Sequence, residues 1–251
     1  MTSQTNGQPN VQSFSSAAAE AGYDIRLSLD LPDPGWDAFL KKTPTTLHYQ
    51  SSVWAQTKAA VGWRSARLIA SQGDDIVAGA QMLFRSIPLV GNVAYISRAP
   101  VFAVEDPLLM DFVIARLHVA ASTLRLKFLL VQPPCRGDAV AKHLPSHGFQ
   151  PSMVEVAPKA TMLVDLTRDH DVLLSRMTKR TRQYLRSGER KGIIIRKGSE
   201  ADLPAFYQML QATADRQKWS VYDYSYYTTM WRFLSPNQNA RLTMAEYEGQ
   251  V

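Results

Sequence analysis

The sequence signals for strands and helices occur twice in the same order along this chain. Such an internal repeat is compatible with only a few folds. Residues 66–68 (Ala-Arg-Leu) begin an apolar, strand-like run that a glycine turn follows, and residues 240–242 carry the same three residues at the start of a similar run. Upstream of each run lie an acid-and-proline helix start and then a helix that contains a tryptophan, Trp54 or Trp231. The pattern predicts a unit of strand, helix, helix and hairpin that the chain uses twice.

The elements around the two runs predict an α/β protein with two domains. Residues 23–165 alternate strands and helices and form the predicted first domain, whereas residues 1–22 are a polar tail with too few apolar residues to order itself. Residues 166–251 form the predicted second domain, which stops at its first hairpin turn. Because a sheet without its returning strand has an unpaired edge, we expect this domain to be incomplete and the chain to be truncated at its C-terminus.

The composition narrows the class of protein. One cysteine, Cys135, among 251 residues excludes an intramolecular disulfide framework. No apolar run reaches the roughly 18–20 residues that span a bilayer, and the first residues lack the basic and apolar regions of a signal peptide. We therefore predict a cytoplasmic protein. Its formal charge of +6 favours anionic partners such as nucleic acid, phosphorylated substrates or an acidic membrane surface.

The sequence carries no motif for a resident cofactor or a metal. It has neither G-x-G-x-x-G nor G-x-x-x-x-G-K, so no dinucleotide site and no P-loop is predicted. His143 and His147 are four residues apart, but Pro145 lies between them and no glutamate accompanies them, so we do not expect zinc. Cys135 follows two prolines without an evident base, which argues against a nucleophile.

A basic segment, residues 176–197, contains nine basic residues and a single acidic one. On one continuous helix, at about 100° per residue, Leu173, Met177 and Tyr184 share one side, which predicts a buried stripe. Arg180 lies at the edge of that stripe, four residues before Tyr184. Because an unpaired buried charge is costly, this placement predicts that Arg180 pairs with a carboxylate or binds an anion, with Tyr184 as a neighbouring donor.

The opposite side of the same helix is predicted to face solvent and carries Lys179, Arg182, Arg186 and Arg190. The three arginines suit a looser contact with a polyanion, either the phosphates of a nucleic acid or lipid head groups. A solvated basic face is the simpler interpretation, and a basic helix does not identify its partner.

Six short motifs, in this order and spacing, resemble the FemABX family, whose members are pairs of GNAT-like domains. Together they cover roughly residues 23–251, and family members commonly have a glycine where this chain has Ala99. The motifs are W-A-Q-T-K-x-x-x-G-W (54–63), Y-I-S-R-A-P-V (95–101), V-Q-P-P (131–134), H-G-F (147–149), T-x-x-V-D-L (161–166) and T-K-R-T-R-Q-Y-L-R-S-G-E-R-K-G-I (178–193).

The resemblance implies an aminoacyltransferase of cell-wall biogenesis. Such enzymes move an amino acid from aminoacyl-tRNA to an amine on the stem peptide of a peptidoglycan precursor, either lipid II or a UDP-muropeptide. Both partners are polyanions, in keeping with a basic chain. A lipid-borne precursor leaves room for a peripheral contact with the inner membrane surface, and the resemblance implies neither a cofactor nor a metal.

By the same resemblance, Lys58 and Arg180 match the cations that hold the pyrophosphate of the precursor. Thr178 and Tyr184 match residues beside those cations. Thr178 and Arg180 point to nearly opposite sides of an ideal helix, so the pair requires a break in the helix near residues 178–180.

One of the tyrosines at 224, 226 and 227 matches a further substrate-side tyrosine, and we assign Tyr226. The family's lysine that stabilises the oxyanion would fall beyond Val251. No catalytic residue is therefore assigned, and we expect this chain to bind precursor weakly without catalysing transfer.

Two other functions remain open on the sequence. One is an acyl-CoA-dependent GNAT N-acyltransferase in polysaccharide or lipid synthesis, which a phosphate-cradling glycine loop would favour. The other is a truncated, non-catalytic module that binds acidic partners, which would show no saturable binding of tRNA or muropeptide.

Overall fold

The computed structural model describes residues 20–43, 47–134, 137–154, 158, 162, 164–236 and 238–251. Residues 1–160 and 161–251 form two compact units, called unit 1 and unit 2 below. Most of the predicted tail, Cys135 and much of the predicted domain junction lie outside the described residues. The predicted boundary at residue 165 therefore stays a prediction.

In the described part of unit 1, strands and helices follow one another much as the sequence predicts. Two short 3₁₀ turns, His48–Gln50 and Pro145–His147, complete the set. The strands are β1 (Tyr23–Ser28), β2 (Arg64–Gln72), β3 (Asp75–Ile87), β4 (Gly91–Ser97), β5 (Val101–Phe102) and β6 (Leu126–Gln132), and the helices are α1 (Pro34–Lys42), α2 (Ser52–Ala59), α3 (Pro107–Thr123) and α4 (Asp138–His143).

The strands of unit 1 form one mixed sheet in the order β1-β2-β3-β4-β6, with β5 paired to β3. The pairs are antiparallel except for β4 and β6, which are parallel because α3 carries the chain back along the sheet between β5 and β6. β2 and β3 form the predicted hairpin, which turns at Gly73 and Asp74. β3 spans 13 residues and ends in a second turn toward β4.

The core of unit 1 packs the sheet against apolar residues of α1 and α3. Trp36 of α1 is fully buried, and it lies directly against Gly79 of β3. A Cβ on Gly79 would lie 2.8 Å from Cζ3 of Trp36 and closer still to the backbone oxygen of Leu68. Only glycine fits here, because two backbones and an indole ring meet at this point.

Three helices of unit 1 begin at side-chain caps. The Asp33 carboxylate accepts from the backbone N–H of Trp36 (3.0 Å), and Pro34 follows in the first turn. Ser51 Oγ accepts from the N–H of Trp54 (3.3 Å), and Asp106 begins α3 in the same way. Polar caps at these positions fix where each helix starts and how it enters the core.

One predicted strand is divided in the structure. The apolar run of residues 92–102 by itself predicts a single strand, but β4 ends at Ser97 and β5 begins at Val101. Arg98 adopts a left-handed conformation with φ 56°, and Pro100 has no N–H to donate to a neighbouring strand. The ladder therefore stops between β4 and β5, and β5 pairs with β3 instead.

In the described part of unit 2, a small sheet of two strands accompanies four helices. β7 and β8 pair antiparallel, from Ile194 opposite Glu246 to Lys197 opposite Thr243. The elements are α5 (His170–Arg176), α6 (Lys179–Arg190), β7 (Ile194–Lys197), the 3₁₀ turn Glu200–Asp202, α7 (Leu203–Gln217), α8 (Tyr224–Leu234) and β8 (Thr243–Glu246).

The predicted internal repeat is present. The order β7, α7, α8, β8 in unit 2 repeats the order β1, α1, α2, β2 in unit 1, and in both cases the first and last strands pair antiparallel. The second copy differs from the prediction in one respect, because its closing strand begins at Thr243 rather than at residue 240.

No helix among the described residues combines the length and the apolar character that a membrane-spanning helix needs.

Candidate functional site

The start of α6 is the centre of the candidate site, and a break in the helix creates it. α5 ends before Met177, whose backbone is extended (ψ 151°), and α6 begins at Lys179. Thr178 Oγ1 lies between them and accepts from the N–H of Thr181 (3.2 Å), which is the geometry of a helix N-cap. The predicted break near residues 178–180 is confirmed.

Arg180 and Tyr184 form a pair on the first two turns of α6. Nε of Arg180 donates to the Tyr184 hydroxyl (2.8 Å), and the guanidinium carbon lies 5.3 Å from the centre of the tyrosine ring. The two residues are one helical turn apart, so the contact follows from their spacing. This pairing confirms the predicted neighbourhood, and the role of the pair in binding remains a proposal.

The predicted inward orientation of Arg180 is wrong. Arg180 is exposed, and so are two of the three residues that were expected to form a buried stripe beside it: Met177 is 37% exposed and Tyr184 61%, whereas Leu173 is half-buried. The prediction assumed one continuous helix from Leu173 to Tyr184. The break at Met177 resets the rotation of the chain, so residues on the two sides of the break no longer share a face.

Arg182 is also oriented differently from the prediction. It was expected on the solvated side, yet it is half-buried and its Nη1 donates to the backbone oxygen of Met177 (2.5 Å). The same nitrogen lies 3.4 Å from the oxygens of Leu174 and Ser175. Arg182 therefore caps the C-terminal carbonyls of α5 and holds the two helices at their junction. Its predicted contact with a polyanion remains untested.

Arg186 and Arg190 are exposed further along α6, as predicted. Nε of Arg190 donates to the backbone oxygen of Arg186 (3.3 Å). Across the described side chains of unit 2, neither of these arginines nor Arg180 forms an ion pair with a carboxylate. Because exposed cations without carboxylate partners are able to bind an external anion, α6 carries a basic surface.

Arg196 of β7 shows the contrasting case of an arginine that is already paired. Its guanidinium bonds both oxygens of Asp202 (2.6 and 2.9 Å) and one oxygen of Glu246 (2.6 Å). Hydrogen bonding to Asp202 and then Glu246 raises the pKa of Arg196, and Arg196 together with Ser199 holds the pKa of Asp202 well below its usual range. This cation stabilises the repeat unit and is not available to a ligand.

A cluster of tyrosines lies between α7 and α8 and includes the predicted Tyr226. Tyr226 is 5% exposed, with ring centres 4.4 Å from Tyr222 and 5.3 Å from Tyr227. Burial raises the pKa of Tyr227. The open faces of the cluster belong instead to Tyr222 and Tyr224, which are 46% and 37% exposed. Sequence reasoning could not rank these tyrosines, because their spacing alone does not show which rings the neighbouring helix covers.

Lys58 is the predicted site residue that lies in unit 1. It is 8% exposed on α2, and its ammonium nitrogen lies 4.9 Å from the ring centre of Trp54. His48 and Tyr49 pack their rings against the same tryptophan, at 5.0 and 5.6 Å. The ammonium of Lys58 therefore lies over the face of Trp54, which the other two rings hold in place, and an aromatic face stabilises a cation with little water around it. The other predicted site residues all belong to unit 2.

A histidine–carboxylate cluster in unit 1 was missed. One oxygen of Asp111 accepts from Nδ1 of His143 and from Nε2 of His147, each at 2.8 Å. Burial raises the pKa of Asp111, but the two imidazole hydrogen bonds outweigh burial and bring the pKa of that carboxyl below its ordinary value. The spacing of the two histidines was visible in the sequence, whereas their common partner on α3 was not.

The sequence and fold were compared with known proteins. The FemAB family model matches this chain twice, over residues 31–142 and 138–249. A lipid II:glycine glycyltransferase of Staphylococcus saprophyticus is 25% identical over 231 residues, which are 88% of this chain and 56% of that protein. A protein of the same description from Staphylococcus aureus strain MRSA252 is 23% identical over 223 residues, 84% of this chain and 53% of that protein. The chain spans about half the length of the curated relatives it matches.

A solved structure supports the fold. The crystal structure of FemX superposes with a TM-score of 0.70 at 22% sequence identity, over 88% of this chain and 58% of that chain. This likeness concerns the fold alone. It confirms the predicted α/β, GNAT-like fold class.

Proposed function

We propose a function from one premise: this chain belongs to the FemAB family, whose model matches it over residues 31–142 and again over 138–249. The protein is an aminoacyltransferase of cell-wall biogenesis. It moves an amino acid from aminoacyl-tRNA to an amine on the stem peptide of a peptidoglycan precursor, either lipid II or a UDP-muropeptide. The double match is the observation that carries this proposal, and the names of the two glycyltransferase relatives agree with a precursor of the lipid II type.

The start of α6 offers what a pyrophosphate needs. Lys179 and Arg180 lie in the first turn, next to the N-cap Thr178, and helix N-termini favour anions. Tyr184 orients the guanidinium of Arg180 through its hydroxyl. Arginine binds phosphate oxygens through a planar fork of donors, so an arginine held in one orientation suits a pyrophosphate better than a freely rotating one. We propose Arg180, Tyr184 and Thr178 as precursor-binding residues of unit 2, and Lys58 as a precursor-binding residue of unit 1.

The tyrosine cluster supplies a second binding surface in this proposal. Tyr226 is too covered to present a ring face to a ligand, so its neighbours Tyr222 and Tyr224 carry the contact while Tyr226 supports them. Exposed aromatic rings stack on sugars and bases alike. The outer arginines of α6, Arg186 and Arg190, are assigned to tRNA phosphates, where contacts are many and individually weak.

The proposed reaction needs no nucleophile from the protein. The amine nitrogen of the precursor attacks the ester carbonyl carbon of the aminoacyl-tRNA, and a tetrahedral oxyanion forms. The bond from that carbon to the ribose oxygen then breaks, the ribose oxygen takes a proton, and the amine nitrogen loses one as the amide forms. Since the ester is already activated, catalysis depends on positioning the amine and on stabilising the oxyanion. We place the reaction in the cytoplasm, where aminoacyl-tRNA is made.

Mass spectrometry of the acceptor tests the proposal. A protein of the length of its relatives, with the residues expected beyond Val251, is incubated with a UDP-muropeptide and a complete pool of aminoacyl-tRNAs, in parallel with residues 1–251 alone, and the mass of the muropeptide is then measured. We expect the longer protein to add the mass of one aminoacyl residue to the stem peptide, and residues 1–251 alone to bind the muropeptide without transfer. Deacylated tRNA, or a UDP-sugar without a stem peptide, serves as the control and should give no product. An acceptor that the longer protein binds saturably but leaves unmodified would contradict the proposed transfer.

A further inference from the structure

The turn between β3 and β4 exposes apolar side chains. We call residues 88–90 (Pro-Leu-Val) the apolar tip. Leu89 is 109% exposed, Val90 is 54% exposed, and Pro88 is exposed as well. Single exposed apolar residues are common on protein surfaces, but three consecutive ones at the end of a hairpin form a protrusion that no described residue of unit 1 covers.

The hairpin holds the apolar tip firmly in place. β3 and β4 stay in register from Leu83 opposite Tyr95 to Ile87 opposite Gly91. The N–H of Val90 donates to the oxygen of Ile87 (3.1 Å) and closes the turn. Leu89 has φ 65°, in the left-handed region that glycine and asparagine adopt readily and leucine does not. A leucine here is both strained and fully exposed, so the folded unit gains nothing from it.

Four basic residues, called the basic collar, surround the base of the apolar tip. Arg64 begins β2 opposite Phe84, and Arg85 follows on β3. The guanidinium of Arg85 lies 4.5 Å from the ring centre of Trp63, which fixes its direction. The remaining two lie at the start of β6: Arg125 and Lys127, the latter packed against Gly91 at the foot of β4. All four are exposed.

The opposite end of the same sheet has the opposite character. There β2 and β3 turn through Gly73, Asp74 and Asp75, and Asp24 lies beside that turn, on β1 opposite Ser71. No aspartate or glutamate occurs in residues 38–73, 76–104 or 112–137, which supply the strands and loops around the apolar tip. The two hairpin turns of the sheet therefore differ: the β2–β3 turn is polar and acidic, and the β3–β4 turn is apolar with basic residues around it, while Asp30, Asp33 and Asp37 lie after β1 and face Arg67.

From this polarity we propose that the apolar tip and the basic collar dock unit 1 on an anionic lipid surface. Leu89 and Val90 insert among the acyl chains, and the collar lies at the level of the lipid phosphates. A convex apolar point inside a ring of cations fits a bilayer surface, since a nucleic acid would use the cations and leave Leu89 without a partner. The inference goes beyond the proposed function and does not depend on it. If both hold, docking brings the enzyme to a lipid-borne acceptor.

Co-sedimentation with vesicles tests the proposal, because it needs neither tRNA nor precursor. The chain is mixed with vesicles of phosphatidylethanolamine and phosphatidylglycerol, and in parallel with vesicles of phosphatidylcholine alone. We expect binding to the anionic vesicles, with a steep loss in salt, and little binding to the neutral ones.

Two sets of variants separate the apolar tip from the basic collar. Leu89→Asn removes the apolar side chain and suits the left-handed backbone, so it should keep or raise thermal stability while lowering vesicle affinity about tenfold. Val104→Ser is the matched control, since Val104 is 56% exposed and lies outside the apolar tip. Arg85→Gln with Lys127→Gln should lower affinity on the order of tenfold or more, and the exposed Arg26→Gln of β1 should change it little.

Three outcomes would overturn the proposal. The first is no binding to anionic vesicles by a folded chain that still binds muropeptide, which would leave the proposed function intact. The second is equal binding to neutral and anionic vesicles. The third is a self-associated form in sedimentation equilibrium that Leu89→Asn disperses without any vesicle binding, which would make a second copy the occupant. If the chain bound vesicles but did not bind muropeptide, the result would contradict the proposed function and leave the membrane-docking proposal intact.

Discussion

Unit 1 and unit 2 build the same segment of strand, helix, helix and strand, and each contains an arginine that is held in a different way, on the last strand in unit 1 and on the first strand in unit 2. In unit 1, Arg67 of β2 is fully buried and donates to Ser52 Oγ (3.2 Å) and to the backbone oxygen of Asp30. In unit 2, Arg196 of β7 has a side chain that is 36% exposed and pairs with Asp202 and Glu246. One arginine is sealed in a core, and the other lies at a surface.

The contrast shows how burial changes what a polar contact is worth. Burial lowers the pKa of Arg67, and the carboxylates of Asp33, Asp37 and Asp30 offset only part of that change. Nε of Arg67 has no hydrogen-bond partner among the described residues. A buried charge that loses a partner cannot turn to water, whereas an exposed one can. The stability of unit 1 therefore depends on the whole polar network around Arg67. In unit 2 the polar contribution to stability comes from ion pairs, which salt weakens.

Arg67→Ala should have the largest effect on stability. It leaves a cavity and removes the cation that faces the carboxylates of Asp33 and Asp37, at a cost of about 3–5 kcal/mol. Hydrogen-exchange mass spectrometry along a urea titration reports each unit separately, and we expect the peptides of unit 1 to lose protection first. Arg196→Ala is the comparison variant in unit 2, although its arginine lies on the first strand of the segment and Arg67 lies on the last. If both variants lost the same stability in their own units, the contrast between the buried and the exposed arginine would not hold.

Gly79→Ala should cause the second-largest loss of stability, and the corresponding change in unit 2 should cause a smaller one. Its Cβ would meet the backbone of Leu68 and the ring of Trp36, neither of which can move freely, so we expect a loss of about 1–3 kcal/mol. The control is Gly198→Ala in unit 2, where the Cβ would meet atoms of the half-buried Leu242 side chain at 2.6–3.0 Å. That side chain can rotate, so a much smaller loss in unit 2, on the order of 0.5 kcal/mol, is expected. A larger loss for Gly198→Ala would contradict the account.

Asp111→Asn probes the pH dependence of unit 1. The folded pKa of Asp111 is lowered, so the carboxylate contributes stability above its unfolded pKa of about 4, and that contribution is lost as the pH falls through the lower folded value. We expect the variant to be less stable by about 1–3 kcal/mol near neutral pH. Denaturation of wild type and variant across acidic pH should show the two curves converging. If the difference in stability between wild type and variant stayed constant down to strongly acidic pH, the Asp111 carboxylate could not be its source.

Arg196→Gln should have the smallest effect of the series. The ion pairs with Asp202 and Glu246 are half-buried at the surface of unit 2, and pairs that water still reaches contribute little to stability. The urea midpoint of unit 2 is measured for wild type and variant at two salt concentrations. The two midpoints should differ slightly at low salt and coincide at high salt. A loss that salt leaves unchanged would mean that Arg196 acts through packing.

Local chemistry in the sequence predicted much of this fold. The acid-and-proline start at Asp33 and the glycine turn at residue 73 are both present, because each depends on neighbours within a few residues. The break before α6 is present as well, but it was predicted from the family resemblance of Thr178 and Arg180. Contacts between distant residues were not predictable in this way. Gln50, for example, is fully buried and donates to the oxygen of Ser97 (2.8 Å), 47 residues along the chain.

The candidate site was predictable to the same extent. The Arg180–Tyr184 pair follows from helical spacing, and the structure contains it. The exposure of Arg180 did not follow, because one extended residue at Met177 turns every later side chain to a new direction. The same local change made Arg182, rather than Arg180, the half-buried arginine, and Arg182 donates to the backbone oxygen of Met177.

We propose that the start of α6 binds the pyrophosphate of a precursor. Calorimetric titration with a UDP-muropeptide tests this binding most directly. We expect saturable binding that Arg180→Ala weakens at least about tenfold, because this arginine is oriented by Tyr184 beside the helix N-terminus. Arg186→Ala removes the same charge from the same helix and should weaken binding less, in a salt-dependent way. Equal losses in the two variants, or no saturable binding by the wild type, would contradict the claim.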